Sequence, residues 1–473
     1  MATALHLLTG FRENWLVGIE PGLFQHSFNQ GVANRATGQP GATIFLVERH
    51  PTRFLAGFLA ACVTDSTLVC CDPGWGLREW HQVLSFIQPD LIWGDLPPQV
   101  FKLLATAPDS GPLPGFRPKA CQPLILMATG GSSGQIRFAM HTWDTLMAAV
   151  AGFQQYFQGQ VVNSICVLPL YHVSGLMQCL RSLVSGGQVC FPDFKAILEG
   201  GLPQFDPAHA FLSLVPTQLQ RLLASASSCQ WLAQIQTVLL GGAAAWPELL
   251  ASARCHQISL APTYGMTETA SQIATLKPDD FLRGKAGCGQ VLPHAQVVIC
   301  DQNQAPLPQG QVGQITIQAT SLALGYYPTP FPEPFGFQPG DLGYLDAQGY
   351  LHITGRRNHL IHTGGKKVHP EEVEAALRGT GLVQDAYVLG ISDRHWGQVV
   401  SAVYVPAKTS VSPETLRQAL ANQLSPFKHP KCWLAVEQIP RNAQGKINRA
   451  EVVEWFTHDR DRTTDQATAS VLL

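Results

Sequence analysis

The sequence predicts an α/β protein. It has a large N-terminal domain of parallel sheets with crossover helices plus a small β section, and a small α+β C-terminal domain. Three observations predict this. Short apolar runs recur over the first half of the chain, each ending near Gly or Pro and most leading into helix-like sequence. From about residue 285 to 353 apolar and polar residues alternate between turn residues. After about residue 360 helix and strand signals mix in one compact stretch. At 473 residues the chain also exceeds one ordinary core, so several domains are expected.

In chain order, 51-PTRFLAGFLAAC-62 opens on Pro and is apolar nearly all round, which predicts a buried helix. Ser66–Cys71 reads as a buried strand that stops at Asp72-Pro73-Gly74. The runs 123–129, 164–170, 210–216 and 236–242 read as further parallel strands with crossover helices. The stretches 295–300 and 313–318 alternate, and 346-DAQG-349 reads as a turn, so an antiparallel section is expected. The segment 370-PEEVEAALRG-379 has Pro at its start, Glu in its first turn, Val373 and Leu377 on one face and Gly at its end. Strands follow at 385–391 and 398–405. A helix at 413–424 aligns Leu416, Leu420 and Leu424. The polar tail is expected to be disordered.

The apolar fraction is 45% and the charged fraction 14%, below the roughly 25% of ordinary soluble domains. With a net charge of −2, nothing points to nucleic acid or an anionic membrane. The twelve cysteines are scattered with no C-x-x-C, which predicts small buried hydrophobes in a reducing compartment. The N-terminus carries no signal-peptide pattern, and 54-FLAGFLAACV-63 is about half of what a bilayer needs. A soluble, cytoplasmic protein is expected.

Two stretches carry chemistry. The chain at Thr129-Gly130-Gly131-Ser132-Ser133-Gly134 leaves an apolar strand with three glycines and two further hydroxyls, and Arg137 follows. Converging N–H groups, hydroxyls and a cation make a polyphosphate cradle, while a flexible surface loop is the bland alternative. The stretch Tyr264-Gly265-Met266-Thr267-Glu268-Thr269 puts a tight-turn glycine, two threonines and a carboxylate between mostly apolar runs.

These two stretches, together with 340-GDLGYLDAQGYLHITGRRNHLIHTGGKKVHPEEVE-374 and 439-IPRNAQGKINR-449, resemble the adenylate-forming superfamily in order and over nearly the whole chain. That superfamily includes acyl-CoA synthetases, peptide-synthetase adenylation domains and luciferases. The stretches 168-LPLYHVSGLMQCLRSL-183 and 213-SLVPTQLQRLL-223 are most similar to the 2-succinylbenzoate–CoA ligases, which serve menaquinone or phylloquinone biosynthesis.

The resemblance implies a domain at 1–355, a hinge at 356–359 centred on His359, a mobile domain at 360–458 and a tail at 459–473. It implies ATP and CoA as co-substrates and Mg²⁺ as the metal. Glu268 would hold Mg²⁺, and Thr267 would donate to the α-phosphate. Thr129 to Gly134 and Arg137 would cradle the phosphates. Gly241, Gly242, Ala243, Tyr264 and Gly265 would face the adenine, and Asp341 and Arg356 the ribose and nucleotide. Lys446 would be the adenylation lysine. His172 would sit where the acyl pocket meets the thiol channel, and Gly364, Gly365 and Lys366 would face CoA. Arg181 and Ser271 would hold a second carboxylate of the acid, with an Arg181 whose head lies in solvent at a helix end as the lesser alternative.

The partners implied are small molecules, with no nucleic acid and no membrane span, and a homo-oligomer stays open. The phosphate loop departs from the usual T-S-G-T-T-G-x-P-K-G, with Ile136 for Pro and Arg137 for Lys. His359 stands where Asp or Lys is usual, which predicts a pH-sensitive hinge. Other readings are the same chemistry on another carboxylic acid, or a nucleotide-binding protein without turnover.

Overall fold

The computed structural model describes residues 15–20, 22–36, 41–64, 66–106, 123–130, 135–332, 336–364, 366–393, 395–408, 411–421, 423–442 and 445–456. Gly131, Ser132, Ser133, Gly134, Gly365 and the tail 459–473 therefore lie outside the described residues.

Among the described residues the strands form four sheets. In the first, Leu16–Val17, Val189–Cys190, Asn163–Ile165, Ala210–Leu214, Thr237–Leu240 and Leu260–Met266 run parallel. Ser271–Thr275 and Gln290–Val291 extend it antiparallel. The second has a parallel centre of Leu91–Gly94, Thr43–Val47, Thr67–Cys70 and Ile125–Gly130. The two sheets share a helical layer. Ile44, Leu68 and Met127 of one and Val189 of the other pack in one buried cluster with Phe54, Leu55 and Phe58 of the helix Pro51–Val63 and Leu176 and Leu180 of the helix Val173–Ser185. The near-continuous apolar character of these strands follows from burial on both faces.

Two of the expected parallel strands differ. Ile125–Gly130 pairs antiparallel with Ile136–His141 instead of feeding a crossover helix. Only residues 131–135 separate the two strands, and a parallel crossover needs roughly a dozen residues. The run 164–170 contributes only Asn163–Ile165 to its sheet. Pro169 has no N–H for a ladder, and its carbonyl lies against Gly175, where a Cβ would come within 2.2 Å.

The alternating section forms a four-stranded antiparallel sheet of Ala295–Cys300, Gly313–Ala319, Asp341–Leu345 and Leu351–Arg356. A short turn at Arg357–His359 leads into a five-stranded sheet built on the long hairpin Val383–Asp393 and Gly397–Pro406. The helix Pro370–Gly379 docks Val373 and Leu377 on that sheet. The helix expected at 413–424 spans Pro413–Leu420, yet Leu424 still joins the same core from the loop beyond it.

Candidate active site

The site lies at the carboxyl ends of the parallel strands, where open α/β sheets place their ligands. Tyr264, Gly265 and Met266 end the strand Leu260–Met266, and the chain then tightens into the turn Thr267–Thr269. Gly265, expected as a tight-turn residue, instead sits inside the strand. A Cβ there would lie 2.1 Å from the Ser271 carbonyl oxygen, so close strand approach and not turn geometry requires glycine. The turn is followed by two residues at positive φ, Ala270 at 53° and Ser271 at 101°. This unusual backbone reverses the chain into Ser271–Thr275 and brings the Ser271 hydroxyl to Arg181.

Glu268 is 7% exposed. Its Oε1 accepts hydrogen bonds from the Tyr326 hydroxyl and, at 3.3 Å, from Thr129. Arg137 lies over the Tyr326 ring at 5.3 Å. The carbonyl of Thr267 receives His141 Nε2 at 2.7 Å. His141 is fully buried, and burial pushes its imidazole down to about 4. Neutral His141 thus fixes the Thr267 backbone as a donor.

Asp341 opens the strand Asp341–Leu345 and is 3% exposed. Tyr264 donates to its Oδ2 at 2.6 Å and Arg356 Nε to its Oδ1 at 2.8 Å. Burial and then Asp341 raise the Tyr264 phenol far above its usual range. Gly241 and Gly242 follow the strand Thr237–Leu240, with Ala243 exposed beside them. Both glycines have local reasons. A Cβ on Gly241 would lie 2.6 Å from Thr263 Oγ1, and Gly242 has φ 82°.

Lys446 brings the small C-terminal unit to this cleft. Its ammonium is drawn below its ordinary pKa by the surrounding protein and by Arg356, and held up by Glu268 and Asp341. It also faces His172, the residue preceding the helix Val173–Ser185, whose imidazole burial and then Lys446 push down to about 4. The loop bearing Lys446 is seated on the large unit, because a Cβ on Gly445 would lie 3.2 Å from Val215 Cγ2 and 3.3 Å from Thr217 Oγ1.

Arg181 does not reach solvent. It is 3% exposed, and its guanidinium lies over the Phe153 ring at 4.2 Å. Nη2 donates to Ser271 Oγ at 3.0 Å and to Gln272 Oε1 at 2.8 Å. Arg181 Nε, Gln272 Nε2 and both ring nitrogens of His294 are buried without a hydrogen-bond partner. Among the described residues no carboxylate pairs with Arg181, and burial lowers its pKa to about 9. Burial and then the Arg181 charge push His294 down to about 4.

Gly364 and Lys366 stand apart from this cleft. A Cβ on Gly364 would meet the Trp396 ring at 2.8 Å, and Lys366 Nζ lies 4.3 Å from the Phe427 ring centre. His359 is packed, and burial, Arg449 and Arg356 push it down to about 4. It is therefore neutral from pH 6 to 8 in this conformation, so the pH sensitivity expected at His359 moves to acid pH. Tyr326, His141, Gln272 and His294 were not singled out by the sequence. Gln272 alone had a local cue, its place beside Ser271 in a turn-to-strand stretch.

The AMP-binding enzyme family model matches residues 34–327, and the AMP-binding enzyme C-terminal domain matches 372–446. A 2-succinylbenzoate–CoA ligase of Enterococcus faecalis is 31% identical over 71% of this chain and 70% of its own. The ATP-bound MatB structure of Rhodopseudomonas palustris superposes with a TM-score of 0.82 at 21% identity, covering 96% of this chain and 98% of that one. The o-succinylbenzoate CoA synthetase of Bacillus subtilis, in complex with the acyl-adenylate OSB-AMP, gives 0.80 at 21% identity over 95% and 97%.

Proposed function

The chain belongs to the AMP-binding, adenylate-forming enzymes, and on that premise we propose that this ligase converts 2-succinylbenzoate, ATP and CoA to 2-succinylbenzoyl-CoA, AMP and pyrophosphate. The observation that carries the substrate is Arg181. A buried guanidinium with only neutral partners costs several kcal/mol unless an anion joins it. An acid with a second carboxylate supplies that anion, with Ser271, Gln272 and His294 as neutral hydrogen-bonding neighbours. The first carboxylate then points back towards the ATP phosphates.

In the first step a carboxylate oxygen forms a bond to the α-phosphorus, and the bond to the β-phosphate oxygen breaks, releasing pyrophosphate. Two anions meet, so fixed cations and donors must offset their repulsion. In this reading Lys446 bridges the attacking carboxylate and the α-phosphate, and the Thr267 hydroxyl donates to the same phosphate. Arg137, Thr129 and the loop Gly130–Gly134 steady the distal phosphates, and Asp341 accepts the ribose hydroxyls.

Glu268 is a single buried carboxylate, and among the described residues no cluster of three or more metal-ligating side chains occurs. That donor set fits Mg²⁺, which takes one or two carboxylates plus substrate phosphates, and the ion would supply charge neutralisation there. In the second step the CoA sulfur attacks the acyl carbon and AMP leaves. We place the hinge at 356–359, so that the unit from 360 turns Lys446 away and presents Gly364, Gly365 and Lys366 to CoA. His172 stays neutral where the thiol would enter. Among the described residues no helix is long and apolar enough to cross a membrane.

The test is pyrophosphate release from ATP and Mg²⁺ with 2-succinylbenzoate, benzoate or octanoate, each with and without CoA. Release that depends on 2-succinylbenzoate supports the reading. Release with a monoacid alone keeps the mechanism and moves the substrate. ATP binding without release under any of the three acids would overturn the 2-succinylbenzoate reading and leave another carboxylic acid, or nucleotide binding without turnover, as the readings to test.

A further inference from the structure

Lys446 is useful only if its loop is held, and the structure shows what holds it. Arg441 and Ile447 pair as an antiparallel bridge, Asn442 N donates to the Lys446 carbonyl at 2.8 Å, and Lys446 N donates to Asn442 Oδ1 at 2.9 Å. The Arg441 side chain folds back over this turn. Its Nη1 donates to the Gly445 carbonyl at 2.9 Å, and its Nη2 donates to Asp385 Oδ2 at 2.6 Å. The other oxygen of Asp385 accepts from Arg378 Nη2 at 3.3 Å and from the Ala386 backbone N–H at 2.9 Å.

Arg378 belongs to the helix Pro370–Gly379, and its guanidinium lies 5.3 Å from the ring centre of Trp246 on the large unit. Asp385 itself sits where the pairing of Val383–Asp393 with Gly397–Pro406 shifts register, a local irregularity that re-aims a side chain. One carboxylate thus bridges two guanidiniums. One rests on the large unit, and the other holds the carbonyl immediately before Lys446.

We propose that Asp385 is a positioning residue for adenylation: with Arg378 and Arg441 it links the seating of the small unit on Trp246 to the placement of Lys446. The proposal rests on Lys446 serving the adenylation step. A simple ionic staple within the small unit would have no reason to end on the Lys446 turn at one side and on the large unit at the other. Removing the Asp385 charge leaves Arg378 and Arg441 without their shared anion and frees the Gly445 carbonyl from its fixed donor. A displacement of about 1 Å at a reacting group costs on the order of 100-fold in rate. The second half-reaction does not use Lys446 in this reading, so it should be spared.

The experiment measures both halves on full-length protein. Pyrophosphate release with saturating acid and ATP reports adenylation, and thioester formation from added acyl-adenylate and CoA reports the second half. Asp385→Asn and Arg441→Met are each expected to lower kcat for adenylation by roughly 10- to 100-fold, with KM for ATP within about twofold and thioester formation unchanged. Arg441→Lys, which keeps the charge but not the fork, should fall between.

Equal loss in both halves, or a loss that tracks a lowered melting temperature, would reduce Asp385 to a structural residue and overturn the proposal. So would unchanged adenylation in Asp385→Asn. Lys446→Ala, run in parallel, separates the two ideas. Selective loss there without loss in Asp385→Asn overturns the clamp alone. Non-selective loss in Lys446→Ala overturns the role of Lys446 and the clamp with it.

Discussion

The end of the cleft proposed for the nucleotide, at Glu268 and Asp341, and the end proposed for the acyl group, at Arg181, handle charge in opposite ways. At the nucleotide end each carboxylate is already engaged. Asp341 receives Tyr264 and Arg356, and Glu268 receives Tyr326 and Thr129. At the acyl end the charge of Arg181 is met only by a hydroxyl, an amide oxygen and a ring face, with buried donors left over around it. A preorganised site keeps its geometry without ligand and treats every acid alike. An uncompensated site waits for one particular charge. On the proposed function, the first end would set the rate and the second the choice of substrate.

The largest expected effect tests the first half of that statement. Glu268→Gln should lower pyrophosphate release by about 100- to 1,000-fold with every acid accepted, because it removes the carboxylate charge proposed to hold Mg²⁺ on the phosphates. A loss confined to one acid would break the comparison. Arg181→Met comes next and has two parts of opposite sign. Activity with 2-succinylbenzoate should fall by about 2–5 kcal/mol in kcat/KM, roughly 30- to 5,000-fold, while benzoate activity holds or rises. Without ligand the same variant should be more stable by on the order of 2 kcal/mol, read from denaturant unfolding, since an unpaired buried charge is gone. Destabilisation would mean that Arg181 is structural.

The two ends also differ in how far they could be read from sequence. At the nucleotide end the motif residues Glu268, Asp341 and Arg356 are spaced along the chain in a pattern that survives without coordinates. Their partners are not. Tyr326 reaches Glu268 across 58 residues and His141 reaches Thr267 across 126, and no local period records such contacts. At the acyl end Arg181 stood out as a charge in an apolar helix, but its surroundings come from another strand and from His294 in the β section. A ring on His294 fits there only because Gly152 has no side chain, since a Cβ would lie 1.8 Å from Nδ1. The fold shows the same division. Period-two alternation identified Ala295–Cys300 and Gly313–Ala319, which pair antiparallel. The apolar run before Gly130 marked a strand and suggested a crossover helix after it, but the short loop that follows makes the next strand antiparallel.

A smaller effect arises from the neutral histidines that line both ends. His141 and His172 are pushed from about 6.5 to about 4, so protons bind the unfolded chain first as pH falls. Above pH 6.5 both states are neutral and nothing changes. Between about 6.5 and 4 stability is lost, by roughly 1.4 kcal/mol per histidine at pH 5.5. His141→Gln should flatten that acid limb in unfolding experiments. His359 behaves alike in direction, so His359→Asp should leave the pH profile of turnover unchanged between pH 6 and 8.

The smallest expected effect probes whether the nucleotide end is as redundant as its hydrogen bonds imply. Tyr264→Phe removes the donor to Asp341 Oδ2 but leaves Arg356 on Oδ1. Each carboxylate oxygen has more than one lone-pair direction, so the ribose hydroxyls can still be accepted beside the existing donors. The phenol therefore fixes the plane of the carboxylate and is not itself displaced. Its loss should cost about 1 kcal/mol, a rise of roughly fivefold in KM for ATP, with the preference for 2-succinylbenzoate over benzoate untouched. Tighter ATP binding would show instead that Tyr264 occupies the place of the ribose. In that case the nucleotide end, like the acyl end, is completed by its ligand, and the contrast between the two shrinks to the sign of the charge each one lacks.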